Sequence, residues 1–340
     1  SQTECRVRGW KVEFIGGKSE TVNKGLALRS EEDFLQLIDT FFPNEHQDLL
    51  VQRGDDCAVL RCKETACVSS DLFLEESHFR LDYFSPRDIG YKCLAVNISD
   101  ISAMGARPQG FSLSLMVPSG VSRGFWEKFF SGLAELASEH GMYLVGGDLC
   151  RSRQMGMDVT VWGGSESRYL RRRQGRSKDL LFLLGPLGLA RTGLSVLESK
   201  CSVQGYERAV RAHLRPQLYV GQAAQLAAVP EVRGLMDVSD GLARDLPRFL
   251  APGTGAELRI ESGSLAQEVQ RYALQAGNDP LDFALCGGED YALLGAVEPG
   301  GADRLLDIDA DIAFIGEITS GSGVRVNGFP LAQVGFDHFE

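Results

Sequence analysis

The chain lacks the short signatures that mark the commonest nucleotide and hydrolase sites. There is no GxxxxGK loop, which excludes a P-loop nucleotide binder. No GxGxxG follows a strand, which argues against a dinucleotide fold. A protein-kinase catalytic loop is missing, as are HExxH and a GxSxG elbow. Five dispersed histidines are too few for a zinc site. Positive charge is scarce: 35 Lys and Arg against 46 Asp and Glu leave a net charge of −11, which argues against a nucleic-acid partner. The one dense basic run is Arg171-Arg172-Arg173, with Arg168 and Arg176 close by; it reads as a solvated loop or as a contact to nucleotide phosphate. No apolar run approaches the ~18 residues needed to span a bilayer, and no apolar h-region accompanies Glu4, Arg6 and Arg8, so a cytoplasmic, non-membrane protein is expected. The eight cysteines form no CxxC pair and read as reduced, small hydrophobes.

What is present suits a globular enzyme. Hydrophobic residues make up 44% and charged residues 24% of 340, enough for two domains and a substantial core. Ser30 with Asp33 three residues on opens a helix with Phe34, Leu37 and Ile38 on one face. Ser85-Pro86-Arg87-Asp88 opens a second, and Ser122 a third that carries Trp126, Phe129, Phe130, Leu133 and Leu136. Strand patterns fall at 57–62, 66–73, 111–117, 142–145 and 158–162. After the basic loop a second set begins: strands near 180–184, 235–238, 257–260, 291–297, 312–315 and 323–326, with helices near 188–199, 205–213, 217–228 and 265–276. Alternating strands and helices predict an α/β or α+β class, with an N-terminal extension over 1–28 and domains over 29–165 and 166–340.

The main chemical resource is carboxylate. Six acidic clusters recur, mostly at strand ends: Gly54-Asp55-Asp56, Ser69-Ser70-Asp71, Asn97-Ile98-Ser99-Asp100, Gly146-Gly147-Asp148, Asp237-Val238-Ser239-Asp240 and Gly287-Gly288-Glu289-Asp290. Taken singly, each also reads as a turn or a helix cap. Their recurrence beside glycine and hydroxyl residues favours hard cations, which take oxygen ligands and hold phosphate.

In order and spacing, GDDCAVL (54–60), SSDLFLEESHF (69–79), GYKCLAVNISDISAMGA (90–106), GGD (146–148), HLRP (213–216), MDVSDGL (236–242), GGEDYALL (287–294) and GFDHF (335–339) closely resemble the thiamine-monophosphate kinase family. That family belongs to the ATP-binding superfamily of aminoimidazole ribonucleotide synthetase. The resemblance runs from about residue 30 to the end. It implies a two-domain fold of the aminoimidazole ribonucleotide synthetase type, with the N-terminal domain pairing in a homodimer and a C-terminal α/β domain. It also implies ATP as co-substrate, several Mg²⁺ ions, and phosphoryl transfer to thiamine monophosphate. By position, Asp56, Ser69, Ser70, Asp71, Asp100, Asp148, Asp237 and Asp240 would hold Mg²⁺. Gly147, Asp148, Arg173 and Ser239 would contact ATP, with Phe130 near the nucleotide unless it is core. His78, Glu289 and Phe336 would line the thiamine phosphate pocket, Glu289 facing the cationic rings and Phe336 stacking on one.

The sequence departs from the family pattern at three points. Ser70 replaces a usual threonine, Leu149-Cys150 replaces a threonine pair, and Glu76 stands where glycine is common. A different synthetase of the superfamily and a non-catalytic nucleotide- or metal-binding module are the competing readings. The selenophosphate-forming and hydrogenase-maturation branches would need an N-terminal Cys or Sec in a glycine-rich loop or a C-terminal Cys, whereas this chain ends Asp337-His338-Phe339-Glu340.

Overall fold

A computed structural model describes residues 28, 30–54, 57–61 and 64–331. Asp56 and Phe336, assigned above from the resemblance, lie outside the described residues. In the first half the elements run α1 (Glu31–Phe41), β1 (Leu49–Val51), β2 (Val59–Leu60), β3 (Cys67–Leu74), α2 (Pro86–Ala103), β4 (Arg107–Val117), α3 (Arg123–Glu139), β5 (Tyr143–Gly146), β6 (Leu149–Arg151) and β7 (Gly156–Gly164). The second half runs β8 (Leu180–Leu184), α4 (Leu189–Glu198), α5 (Glu207–Leu214), α6 (Val220–Ala228), β9 (Val232–Val238), α7 (Leu242–Phe249), β10 (Thr254–Leu258), α8 (Gln267–Gln275), α9 (Pro280–Leu285), β11 (Ala292–Val297), α10 (Ala302–Ile308), β12 (Ala313–Ser320), β13 (Val324–Val326) and β14 (Phe329–Pro330).

Two large sheets organise these elements, and β1 and β2 pair apart from them as an antiparallel two-stranded ribbon. The first has the order β3-β7-β4-β5, with β6 also paired to β4; β4 runs parallel to β5 and β6 and antiparallel to β7. The second has seven strands in the order β14-β13-β10-β12-β8-β11-β9 and is antiparallel except where β10 meets β13. The architecture is therefore α+β within the expected class. The apolar run Leu180–Leu184 becomes central strand β8, and its alternation sends Leu181 and Leu183 into one core and Phe182 and Leu184 into the core on the opposite face.

The helix starts follow the local chemistry. Ser30 and Asp33 form a reciprocal capping box, and the hydroxyls of Ser85 and Ser122 accept from the backbone N–H groups of Asp88 and Phe125. The centre of the molecule is α2, which buries residues around its whole circumference, from Ile89 and Lys92 to Ser99 and Ser102. It packs on α3 and on β3, β4 and β7, and on its other side meets β9, α5 and α6. The α2–α3 approach depends on two glycines. A Cβ on Gly90 would lie 2.0 Å from the Phe129 carbonyl oxygen, and one on Gly132 would lie 1.9 Å from that of Arg87. Only a residue without a side chain permits such backbone contact. Among the described residues no helix is long and apolar enough to cross a membrane, and Cys57, Cys67, Cys93, Cys150, Cys201 and Cys286 are free thiols.

Candidate active site

A cleft of about 720 Å³ opens where β3 and α2 face the ends of β9 and β11, within the usual range for a small-molecule site. Part of its lining is acidic. Asp71 comes from β3, Asp100 from α2, Asp237 from the end of β9, and Ser239 and Asp240 from the turn that follows. Hydroxyls orient these carboxylates: Ser99 Oγ donates to Asp237 at 2.7 Å, and Ser69 Oγ donates to Asp100. Ser70 Oγ donates to Asp158 at 2.9 Å and sits 2.8 Å from Thr160 Oγ1, so it faces its own sheet.

Crowding marks the electrostatics of this part. Burial, and then the neighbouring Asp100 and Asp158, lift Asp71 to about 6. Burial and Asp100 lift Asp237 to about 7, with the Ser99 hydrogen bond and Arg172 acting in the opposite sense. Like charges held this close resist common ionisation. A hard divalent cation would relieve that repulsion, and the donors, carboxylates and hydroxyls, are the oxygen ligands it takes. Among the described residues no three His, Cys, Asp or Glu side chains converge on one point as a ready-made metal cage. The carboxylate and hydroxyl oxygens of this cluster are donors of the type Mg²⁺ takes.

The rest of the lining is aromatic and mixed in charge, with His78, Phe79, Tyr83, Arg191, Glu198 and Glu289. His78 Nδ1 accepts from the Leu74 N–H at 3.1 Å. Glu289 holds φ of +64°, a conformation a non-glycine residue adopts only under constraint. Its backbone N–H donates to the Ser239 carbonyl at 2.7 Å. Its carboxylate lies 3.0 Å from Lys92 Nζ and 3.0 Å from His213 Nδ1. Burial opposes the charge on Glu289, but Lys92 and His213 overcome it and bring the carboxyl down to about 2.

The aminoimidazole ribonucleotide (AIR) synthase related protein, N-terminal domain, family matches residues 54–164. The thiamine-monophosphate kinase of Aquifex aeolicus is 31% identical over 291 residues, covering 84% of this chain and 92% of that protein. The chain belongs to the thiamine-monophosphate kinase family. Solved structures agree with the family. The thiamine-monophosphate kinase of Stenotrophomonas maltophilia K279a superposes with a TM-score of 0.78 at 30% identity, over 87% of this chain and 96% of that one. A structure described as AaThiL complexed with AMPPCP and TMP gives 0.74 at 28% identity, over 93% and 100%.

Set against this family, the sequence-derived assignments divide. Asp71, Asp100, Asp237, Ser239, Asp240, His78 and Glu289 all line the cleft. Ser69 reaches it through Asp100. Gly147 and Asp148 lie on an exposed turn between β5 and β6 and do not line it. There the backbone passes so close to Leu113 that a Cβ on Gly147 would sit 1.7 Å from the Leu113 carbonyl oxygen. Arg173 is exposed, its N–H donating to the Phe249 carbonyl, and Arg172 is the basic-loop residue whose charge acts on Asp237. Arg168 is structural: its guanidinium donates to the carbonyls of Ala227, Val229 and Val232.

One assignment is corrected. Phe130 is fully enclosed, 5.2 Å from Phe129 and 6.1 Å from Phe41 between ring centres, so it packs the core and has no face for a nucleotide. Asp240 is also less free than expected, since Arg248 Nη1 contacts it at 2.5 Å. Asp290, in the sixth acidic cluster, takes the bland role. It accepts from the N–H groups of Gly188 at 2.6 Å and Ala190 at 3.0 Å, capping α4 from across the chain. Sequence reasoning missed three residues. Asp245, fully buried, accepts from the N–H groups of Ser239 and Asp240 and braces that turn. Lys92 and His213 hold Glu289; a lysine within a helix buried all round was the available signal for the first, and the HLRP motif for the second.

Proposed function

We propose that the protein transfers the γ-phosphoryl group of ATP to thiamine monophosphate in one in-line step, giving thiamine diphosphate and ADP. A phosphate oxygen of thiamine monophosphate bonds to the γ-phosphorus as the bond from that phosphorus to the β–γ bridging oxygen breaks. The nucleophile is already ionised near neutral pH, so the residues need to position and neutralise rather than deprotonate. The observation that carries this reading is the mixed lining of the cleft, in which the carboxylates of Asp71, Asp100, Asp237 and Asp240 share one cavity with His78, Phe79, Tyr83 and Glu289. The similar structure holding AMPPCP and TMP supports the same pairing of ligands.

In this reading Asp56, Asp71, Asp100, Asp237 and Asp240 hold Mg²⁺, directly or through water, and Ser69 supports Asp100; Ser70 and Asp148, which do not line the cleft, take part only through water. Bound Mg²⁺ would screen the two phosphate groups from one another and template their alignment. Gly147, Ser239 and the basic loop around Arg172 and Arg173 contact the nucleotide phosphates. His78 and Glu289 contact the thiamine phosphate, with Phe336 joining them from the C-terminal segment. We divide the chain at 165/166, a reading supported by the stretch between the last strand of the first sheet, ending at Gly164, and the first strand of the second, starting at Leu180. A homodimer formed on the outer face of the first sheet would cover Val68 and Leu72, which are 65% and 53% exposed on β3. A cytoplasmic site of action fits the free thiols.

The test is ADP release that depends on thiamine monophosphate and Mg²⁺, with thiamine diphosphate identified by chromatography. Failure of both turnover and thiamine monophosphate binding would overturn the assignment. Asp100→Asn removes one charge at nearly constant volume and is expected to abolish turnover with the melting temperature unchanged or raised, because it relieves Asp71 and Asp237. Near-normal turnover would leave Asp100 a packing residue.

A further inference from the structure

Lys92 is the one lysine or arginine of the described residues that is fully buried, and it stands on the helix that both sheets share. Its Nζ lies 3.0 Å from Glu289 Oε1 and 5.4 Å from the centre of the Phe84 ring. His213, on α5, is 2% exposed, sits 3.0 Å from Glu289 Oε2, and packs edge-on against Phe84 at 5.4 Å. Neither nitrogen meets full hydrogen-bond geometry. Burial and the neighbouring Lys92 push His213 down, so the charge set against Glu289 is that of Lys92, with the imidazole packed beside it. Three elements therefore converge on one carboxylate: α2 from the first half, and α5 and the loop before β11 from the second. Glu289 faces the cleft, whereas the Lys92 ammonium is sealed behind it, too deep to touch a ligand in the cleft.

Burying an ammonium is expensive unless its partner is fixed, and removing one member of such a pair leaves the other charge uncompensated. A surface pair at this seam would have joined the halves at less expense. A buried lysine is suited instead to a different task, keeping a constrained carboxylate ionised and aimed.

We propose that Lys92 is a positioning residue for the thiamine-phosphate end of the cleft, acting through Glu289. Lys92 and His213 together hold the Glu289 carboxylate at its place, so the affinity for the organic substrate depends on a residue that does not touch it. This rests on the kinase reading above.

The experiment compares wild type, Lys92→Met, Glu289→Gln and the double variant in steady-state assays that vary thiamine monophosphate and ATP separately. Binding of thiamine monophosphate and of a non-hydrolysable ATP analogue is followed by calorimetry. Lys92→Met is expected to raise KM for thiamine monophosphate roughly tenfold or more while leaving KM for ATP and analogue affinity within about twofold. The double variant carries no uncompensated charge and is expected to match Glu289→Gln alone, because Lys92 acts only through that carboxylate. Lys92→Gln keeps a donor of similar length and supplies the same comparison, with a smaller shift, where Lys92→Met does not fold. Equal rises for both substrates would make Lys92 a structural staple and overturn the proposal. So would an unchanged KM, or a double variant clearly worse than Glu289→Gln. If wild type itself does not use thiamine monophosphate, the kinase reading fails first, and the two failures are told apart.

Discussion

Asp290→Ala is expected to be strongly destabilising although Asp290 lies outside the lining of the cleft. The carboxylate is 9% exposed and accepts from two N–H groups at the start of α4, Gly188 at 2.6 Å and Ala190 at 3.0 Å. No side chain from α4's own start caps it, since its N-cap is Gly188. Removing the acceptor leaves two donors in a place water reaches poorly, at ~1–3 kcal/mol for each unsatisfied group. Lost caps measured elsewhere amount to ~1–2 kcal/mol. Because the two bonds share one carboxylate the terms do not simply add, and we expect a loss of about 3 kcal/mol. The assay is urea unfolding at pH 8 followed by tryptophan fluorescence and circular dichroism together. A loss below about 1 kcal/mol would refute the reasoning, since it would mean that solvent replaces the carboxylate freely. Asp290→Asn adds a pH test. Burial pushes the Asp290 carboxyl up to about 7 despite its two donors, whereas an unfolded aspartate titrates near ~4. The folded chain therefore holds this proton more tightly. The stability it contributes is complete below the unfolded value and is lost as pH rises through about 7. Wild type should thus lose stability relative to Asp290→Asn between pH 5 and pH 8, and parallel curves would contradict the assignment.

Two further outcomes separate packing from site. Gly147→Ala must displace the β5–β6 turn, because its Cβ would meet the Leu113 carbonyl at 1.7 Å. About 2 kcal/mol of stability and at least tenfold in kcat should go with it, measured by melting and by ADP release. Phe130→Leu should cost ~1–2 kcal/mol as a core truncation and leave KM for ATP unchanged; a selective rise in that KM would restore Phe130 to the nucleotide site.

Legibility followed the range of the interaction. The serine caps at Ser30, Ser85 and Ser122 are local, and each is where the sequence places it. The apolar run 180–184 is a buried strand because five consecutive apolar residues can be satisfied on both faces of a covered sheet. Short helices α9 and α10, of six and seven residues, escaped because a pattern of two turns hardly differs from chance. The acidic clusters were legible as a set, but their division was not. Asp290 and Glu289 are neighbours in sequence, and one caps a helix while the other faces the cleft. That distinction depends on Gly188 and Lys92, about 100 and 200 residues away in the chain. Phe130 misled for a related reason: in an aromatic stripe of Trp126, Phe129 and Phe130, periodicity shows that the residues are buried and not what they face.

The glycines at the α2–α3 crossing have a consequence for the chemistry some ten residues away. Lys92, Ser99 and Asp100 all project from α2, so their directions are set by a single angle, the rotation of that helix about its own axis. Gly90 and Gly132 clamp that angle through backbone contact alone, about 15 Å from Asp100 along the helix. A methyl group added at either glycine would register in the cleft as an aiming error shared by every α2 side chain, with no cavity left behind. The catalytic end is in that sense calibrated from its far side, by residues whose contribution is to be small.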